Sequence, residues 1–194
     1  AAAEAVRLSK DGRPGPVVVQ IPRDVSSMDT DAEIPNPSPR AVHVPDADMI
    51  AKAVTMIDAA KAPLVIAGEI ISNQNASTEL TDFVAAGGLP VMSAYRRLDV
   101  MANSHTCYAG HLEINRFESQ LAAIEACDLV IAVGSRLDGI TSADETMLCI
   151  GKPLIHIYPD PEILDRFESD VAIDSDMKPA LDALRRHLAP PDAQ

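Results

Sequence analysis

Three points along the sequence combine residue types that could grip a nucleotide. Ala67 leads to Gly68, Val133 leads to Gly134-Ser135-Arg136, and Ile157 leads to Tyr158-Pro159-Asp160. Each follows a short apolar run, and in an open parallel sheet ligands bind beyond the carboxyl ends of such runs. A glycine there lets a phosphate approach the backbone, Arg136 offers a two-pronged cation, and Asp160 could accept hydrogen bonds from a ribose. Each also has a plain structural reading. Glycine after a strand is common turn chemistry, Arg136 has Asp138 as a surface partner, and Asp160 before Pro161 is placed to cap a helix. The sequence contains neither the G-x-G-x-x-G fingerprint nor a G-x-x-x-x-G-K-[ST] phosphate loop.

Other reactive side chains form no recognisable constellation. His105, His111 and His156 lack metal-ligand spacing and read as packed or surface histidines. Ser135 lacks the G-x-S-x-G elbow of a nucleophilic serine. Glu113 and Glu118 lie near His111 without forming an acid/base pair. Asn75-Ala-Ser77 fits a glycosylation sequon but reads better as the start of a helix. Cys107, Cys127 and Cys149 are odd in number and widely spaced, which suits reduced thiols rather than disulfides or zinc, with Cys127 in the core.

The elements that must position these residues are legible from periodicity. Residues 46–60 carry Ile50, Ala53, Val54, Ile57 and Ala60 on one helical face, with Asp46 or Asp48 as the cap. Residues 63–67 read as a strand. Leu80, Phe83 and Val84 mark a second helix closed by Gly87-Gly88, and residues 89–93 a second strand. Phe117, Leu121 and Ile124 mark a third helix, followed by strands at 129–133, 153–158 and 171–173. A further strand is expected near 105–109, and Leu181, Leu184 and Leu188 line a closing helix. Continuous apolar strands alternating with amphipathic helices predict an α/β fold: a doubly wound, Rossmann-like parallel sheet covered on both faces.

The first residues do not fit that domain. Ala1 to Ser9 is helical in character and is followed by turn residues, then by Pro16-Val-Val-Val-Gln-Ile-Pro22, which reads as a buried strand. Such a unit cannot bury both of its faces alone. Pro35, Pro37, Pro39 and Pro45 then suggest an extended linker over residues 27–45. The net charge of −13 and scattered basic residues argue against nucleic acid as a partner. No run is long enough to span a membrane, and residues 1–10 show no secretory signal, so a cytoplasmic location is expected.

Several segments resemble the acetolactate-synthase and benzoylformate-decarboxylase type of thiamine-diphosphate enzymes. Gly15-Pro-Val-Val-Val-Gln-Ile-Pro-Arg-Asp-Val25 resembles the last strand of their pyrimidine-binding domain. Ala60-Lys-Ala-Pro-Leu-Val-Ile-Ala-Gly68 looks like the opening strand of their central domain. The segments Ala102 to His111, Ala126 to Asp138, Lys152 to Pro161 and Asp174-Ser-Asp176 follow in the family's order.

The resemblance implies that residues 1–26 end the pyrimidine-binding domain and 27–45 form a linker. Residues 46–189 would then form the central domain, and 190–194 begin the next linker. It further implies a homodimeric or homotetrameric parent, using thiamine diphosphate and Mg²⁺ to decarboxylate a 2-oxo acid. Those cofactors would be held by the pyrimidine-binding and diphosphate-binding domains, leaving this segment inert alone. Some members bind FAD or ADP on the central domain; by motif position Gly68, Gly110, Gly134, Arg136, Asp160 and Asp176 would line that pocket. Three departures point away from FAD and towards an empty pocket. The glycine-rich first loop is only Gly68-Glu-Ile, no arginine follows in Leu137-Asp-Gly-Ile140, and Tyr158 stands where flavin binders carry an aspartate. The competing readings are a self-sufficient FAD- or NAD-binding module and a purely structural interaction domain.

Overall fold

Short apolar runs become the six strands of one sheet: β1 (Pro63–Ala67), β2 (Val91–Ser93), β3 (Tyr108–His111), β4 (Leu129–Val133), β5 (Leu154–Ile157) and β6 (Val171–Ile173). In this computed structural model, residues 1–34, 36, 40–143 and 151–188 are described. The strands run in the order β3-β2-β1-β4-β5-β6, and every neighbouring pair is parallel. The chain leaves β1 in one direction and returns on its other side at β4, so the topological switch lies between β1 and β4. Their register pairs Pro63 with Leu129 and Ala67 with Val133, which brings both carboxyl ends to the same level.

The sheet buries both faces because successive side chains point to opposite sides. Val65 and Ala67 of β1, Ile131 and Val133 of β4, and Ile155 and Ile157 of β5 face the larger core. Helices α2 (Ala47–Ala59), α4 (Ser77–Gly87) and α8 (Met177–Arg185) contribute Ile50, Ala53, Ile57, Leu80, Phe83, Val84, Leu181 and Leu184 to it. Leu64, Ile66, Val130, Ala132 and Leu154 face the smaller core, against Ile124 of α5 (Glu118–Ala126). The expected doubly wound α/β architecture is therefore present, and the further strand lies at Tyr108–His111, a few residues beyond its expected place.

Local signals end the helices where the chemistry dictates. The Asp46 side chain accepts from Asp48 N at 2.8 Å and Met49 N at 3.1 Å, capping α2. Gly88 closes α4 with φ 61°, the left-handed conformation that costs glycine least. The third amphipathic helix needs correction. Phe117 and Leu121 do not face the core; Phe117 is 69% exposed and caps α5, while Gln120 and Ile124 are buried. The cause is the Gln120 carboxamide. It accepts from Phe117 N at 3.0 Å and donates to His111 O at 2.7 Å, fixing the helix's rotation.

The chain forms two compact units, Ala1–Val42 and His43–Gln194. The first holds α1 (Ala2–Leu8), in which Arg7 pairs with Glu4 at 2.6 Å and with Asp11 at 2.7 Å, and a single 3₁₀ turn at Val25–Ser27. Residues 16–22, which read as a strand in the sequence, form none here and are exposed, Val18 by 91%. A strand needs a partner strand for its backbone groups, and among the described residues of this unit the run's backbone bond is the turn contact from Ser26 N to Pro22 O at 3.1 Å. Pro35, Pro37, Pro39, Cys149 and residues 190–194, named above for the linkers and the thiols, lie outside the described residues.

Candidate functional site

At the switch point the two strand-end loops are stitched together. Gly68 N donates to Val133 O at 2.9 Å, and Ile70 N donates to Gly134 O at 3.1 Å. A Cβ on Gly68 would lie 2.3 Å from Ser135 Cα and 2.5 Å from Gly134 O. Gly68 is thus required by another backbone passing across it. Gly134 adopts φ 60°, and a Cβ there would stand 3.0 Å from Ile70 Cβ and 3.1 Å from Met177 Sδ. The space that a dinucleotide fold keeps for phosphate is occupied here by the protein's own chain.

Above this seam sits a polar cluster drawn from three adjacent strand ends. Glu69 opens the short helix α3 (Glu69–Asn73) after β1. Its Oε1 accepts from the Tyr158 hydroxyl at 2.9 Å and lies 2.9 Å from Arg136 Nε. The Nε–H is not directed along that line, so the Arg136 contact is held by charge rather than by a formed hydrogen bond. Asp138 Oδ2 is 3.8 Å from Arg136 Nη2 and more exposed than Glu69, which makes it the weaker partner. Tyr158 is fully buried, and its hydroxyl gains an ionised acceptor.

The remaining pocket candidates also have internal partners. Gly110 adopts φ 111°, and a Cβ there would meet Gln120 Nε2 at 2.8 Å, the amide that reaches His111 O. Asp160 caps α7 (Pro161–Leu164) by accepting from Glu162 N at 3.0 Å. Asp176 accepts from His43 N at 3.1 Å and from Gln74 Nε2 at 2.7 Å, while Gln74 Oε1 accepts from Met177 N at the start of α8. Asp176 therefore clasps the segment that enters the domain. Gly68, Gly134 and Arg136 meet at one seam; Gly110 serves β3, Asp160 caps a helix start, and Asp176 holds His43 and Gln74. Neither Glu69 nor Gln74 was singled out in the sequence as a site residue. The only signal for Glu69 was its place directly after the strand-end glycine.

A separate cleft of about 470 Å³ lies beside α6 (Gly139–Ser142), lined by Ile114, Arg116, Asp138, Gly139, Ile140 and Ala143. Arg116 Nη2 donates to Ile140 O at 2.6 Å and Thr141 O at 3.1 Å, and partial burial draws its pKa below the usual guanidinium value. His111 Nε2 pairs with Glu113 at 3.0 Å, and His105 Nδ1 accepts from Cys107 N. Among the described residues no group of His, Cys, Asp or Glu converges as a metal site, and no helix is long and apolar enough to cross a membrane. Cys107 and Cys127 are free thiols, and Cys127 is buried.

His156 is the one histidine fully inside the fold. Its Nε2 donates to Ser135 O at 2.9 Å, its Nδ1 is buried without a partner, and its ring lies edge-on to Phe167 at 5.5 Å. Burial lowers its pKa from 6.5, against a smaller opposing effect of the Ser135 carbonyl. The folded state therefore binds this proton less readily than the unfolded chain. The stabilisation is complete above the unfolded pKa and is lost as pH falls through and below 6.5. We predict a loss of about 1 kcal/mol between about pH 7.5 and about pH 5.5, measured by urea unfolding. His156→Gln, which keeps a donor for Ser135 O, should remove most of that slope; an unchanged slope would assign it to other groups.

Comparison with known proteins agrees with this architecture. The family described as "Thiamine pyrophosphate enzyme, central domain" matches residues 50–184. The acetolactate synthase large subunit of Corynebacterium glutamicum is 33% identical over 186 residues, covering 93% of this chain and 30% of its own length. The glyoxylate carboligase of Escherichia coli O157:H7 is 29% identical, covering 93% of this chain and 31% of its own. The crystal structure of benzoylformate decarboxylase from Polynucleobacter necessarius superposes with a TM-score of 0.81 at 20% identity, over all of this chain and 36% of that one. The chain thus spans about a third of these relatives. With the sheet order, the switch-point seam and a family match over most of its length, the chain belongs to the central-domain family of thiamine pyrophosphate enzymes.

Proposed function

We propose that this chain serves as the middle, non-catalytic domain of a longer enzyme of the acetolactate-synthase type. The family match over residues 50–184 carries this reading. The cofactor would be thiamine diphosphate with Mg²⁺, which supplies the carbanion chemistry needed to decarboxylate a 2-oxo acid. Nothing at the switch point suits that pair: the one arginine there faces Glu69, and no carboxylates converge as metal ligands among the described residues. The cofactor would therefore sit on pyrimidine-binding and diphosphate-binding domains elsewhere in the protein, a cytoplasmic homodimer or homotetramer. Residues 1–26 would end the first of these domains, 27–45 link it to the middle domain, and 190–194 lead to the other.

Two surfaces support partners of this kind. Residues 16–22 are mostly apolar yet exposed and in no strand, which fits a strand whose sheet lies elsewhere. Among the described residues of the His43–Gln194 unit, exposed large apolar side chains other than Val44 are Leu98, Ile114, Phe117 and Leu121, from loops beyond β2 and β3 and from α5. Exposed apolar side chains of this kind fit a surface that other domains cover in the whole protein.

Gly68, Gly110, Gly134, Arg136, Asp160 and Asp176 would then shape and brace this domain rather than hold FAD or ADP. The test is an assay of the full-length protein beside this 194-residue chain. The full-length protein should release carbon dioxide from a 2-oxo acid when given thiamine diphosphate and Mg²⁺, and the shorter chain should neither react nor bind the cofactor in calorimetry. Tight cofactor binding by the shorter chain would refute the proposal.

A further inference from the structure

The family's central domain implies a nucleotide crevice, and the residues of this chain do not fit one. We propose that Glu69 is a built-in counter-anion that locks the crevice shut, occupying with its own carboxylate the position an incoming phosphate would need. The inference rests on the family reading only for where the crevice lies; the lock itself is read from contacts.

Glu69, Arg136 and Tyr158 follow β1, β4 and β5, three strands adjacent in the sheet and spanning the switch point. A single oxygen, Glu69 Oε1, accepts from the Tyr158 hydroxyl and neutralises Arg136. The Glu69 side chain is only 15% exposed and Tyr158 is fully buried, so the bond lies inside the fold. A phosphate entering here would find the guanidinium already neutralised, a carboxylate repelling it, and no room beneath. Gly68 and Gly134, which would let a ligand reach the backbone, instead let the two loops touch each other. Two of the sequence departures from the flavin pattern, Glu69 after a lone glycine and Tyr158, are thus bonded partners in one device.

The same geometry says how the lock opens. Removing the carboxylate would leave Arg136 without its nearer anion and able to meet another, while Asp138, at 3.8 Å, is too weakly placed to take over. Titration calorimetry of the 194-residue chain with ADP and with inorganic pyrophosphate tests this. The wild type should show no saturable binding. Glu69→Ala should bind both with at least tenfold higher affinity than the wild type, and adding Arg136→Ala should abolish the gain. Equal ADP binding by wild type and Glu69→Ala would overturn the proposal, as would a folded Glu69→Ala chain that binds neither probe. Where circular dichroism shows Glu69→Ala unfolded, Glu69→Ser is titrated instead. Unfolding of both would assign Glu69 to folding alone and overturn the lock. These readouts involve no thiamine chemistry, so their failure is separable from failure of the proposed catalytic role.

Discussion

Gly68→Ala should destabilise the domain by about 3 kcal/mol or more, enough to lower its melting temperature visibly and to cut soluble yield. The reason is backbone against backbone. An added methyl would sit 2.3 Å from Ser135 Cα and 2.5 Å from Gly134 O, and neither atom can rotate away as a side chain could. The φ of Gly68 is −119°, which alanine adopts freely, so the penalty comes from contact alone. Ser135→Gly should therefore give no rescue, because it removes the Ser135 Cβ but leaves the closer Cα. Relief would require separating the loops and breaking the hydrogen bonds from Gly68 N and Ile70 N. Urea unfolding of the single and double variants decides; a loss under about 1 kcal/mol would show that the seam can open cheaply.

Phe83→Ala should cost about 3–5 kcal/mol, the range for truncating a buried aromatic ring. The sequence has three phenylalanines and no tryptophan, and Phe83 and Tyr158 are its largest fully buried side chains. Phe83 projects from α4 into a core of Leu, Ile and Val, between the sheet and the neighbouring α8. Those branched neighbours lack the reach to fill a ring-sized void. Phe83→Leu keeps most of the volume and should cost under about 1.5 kcal/mol. Against a net stability of about 5–15 kcal/mol for a domain, the alanine variant should approach unfolding at physiological temperature. Chemical denaturation of the two variants side by side is the measurement. Equal losses would mean that this core tolerates cavities unusually well.

How far the sequence foretold these features follows from the range of the forces involved. The parallel sheet was legible because Leu129 to Val133 is apolar at every position, a pattern that only two-sided burial explains. Caps were legible because they act within three residues, as at Asp46 and Asp160. The rotation of α5 was not, since it depends on Gln120 reaching back nine residues to His111 O, and a polar residue in an amphipathic pattern gives no sign that it is tethered. That residues 16–22 form no strand here was not legible from their composition, because β-branched residues show what a strand is made of but not whether a partner exists. At the candidate site, the departures at Gly68-Glu-Ile and at Tyr158 were readable one by one. Their connection was not, because it joins positions 89 residues apart across two strands.

The exposed run at residues 16–22 bears on the chain's behaviour in solution. Val-Val-Val-Gln-Ile carries no charge and is strongly β-branched, the composition that favours stacking into intermolecular cross-β structure. The prolines at its two ends work against this. Pro16 and Pro22 have no amide hydrogen to donate, so a second molecule pairing there finds a ladder of only five donors, interrupted on both sides. Arg13 and Arg23 lie just beyond them and place like charges at the same ends of any in-register stack. The segment thus carries its own gatekeepers against aggregation while it stands exposed.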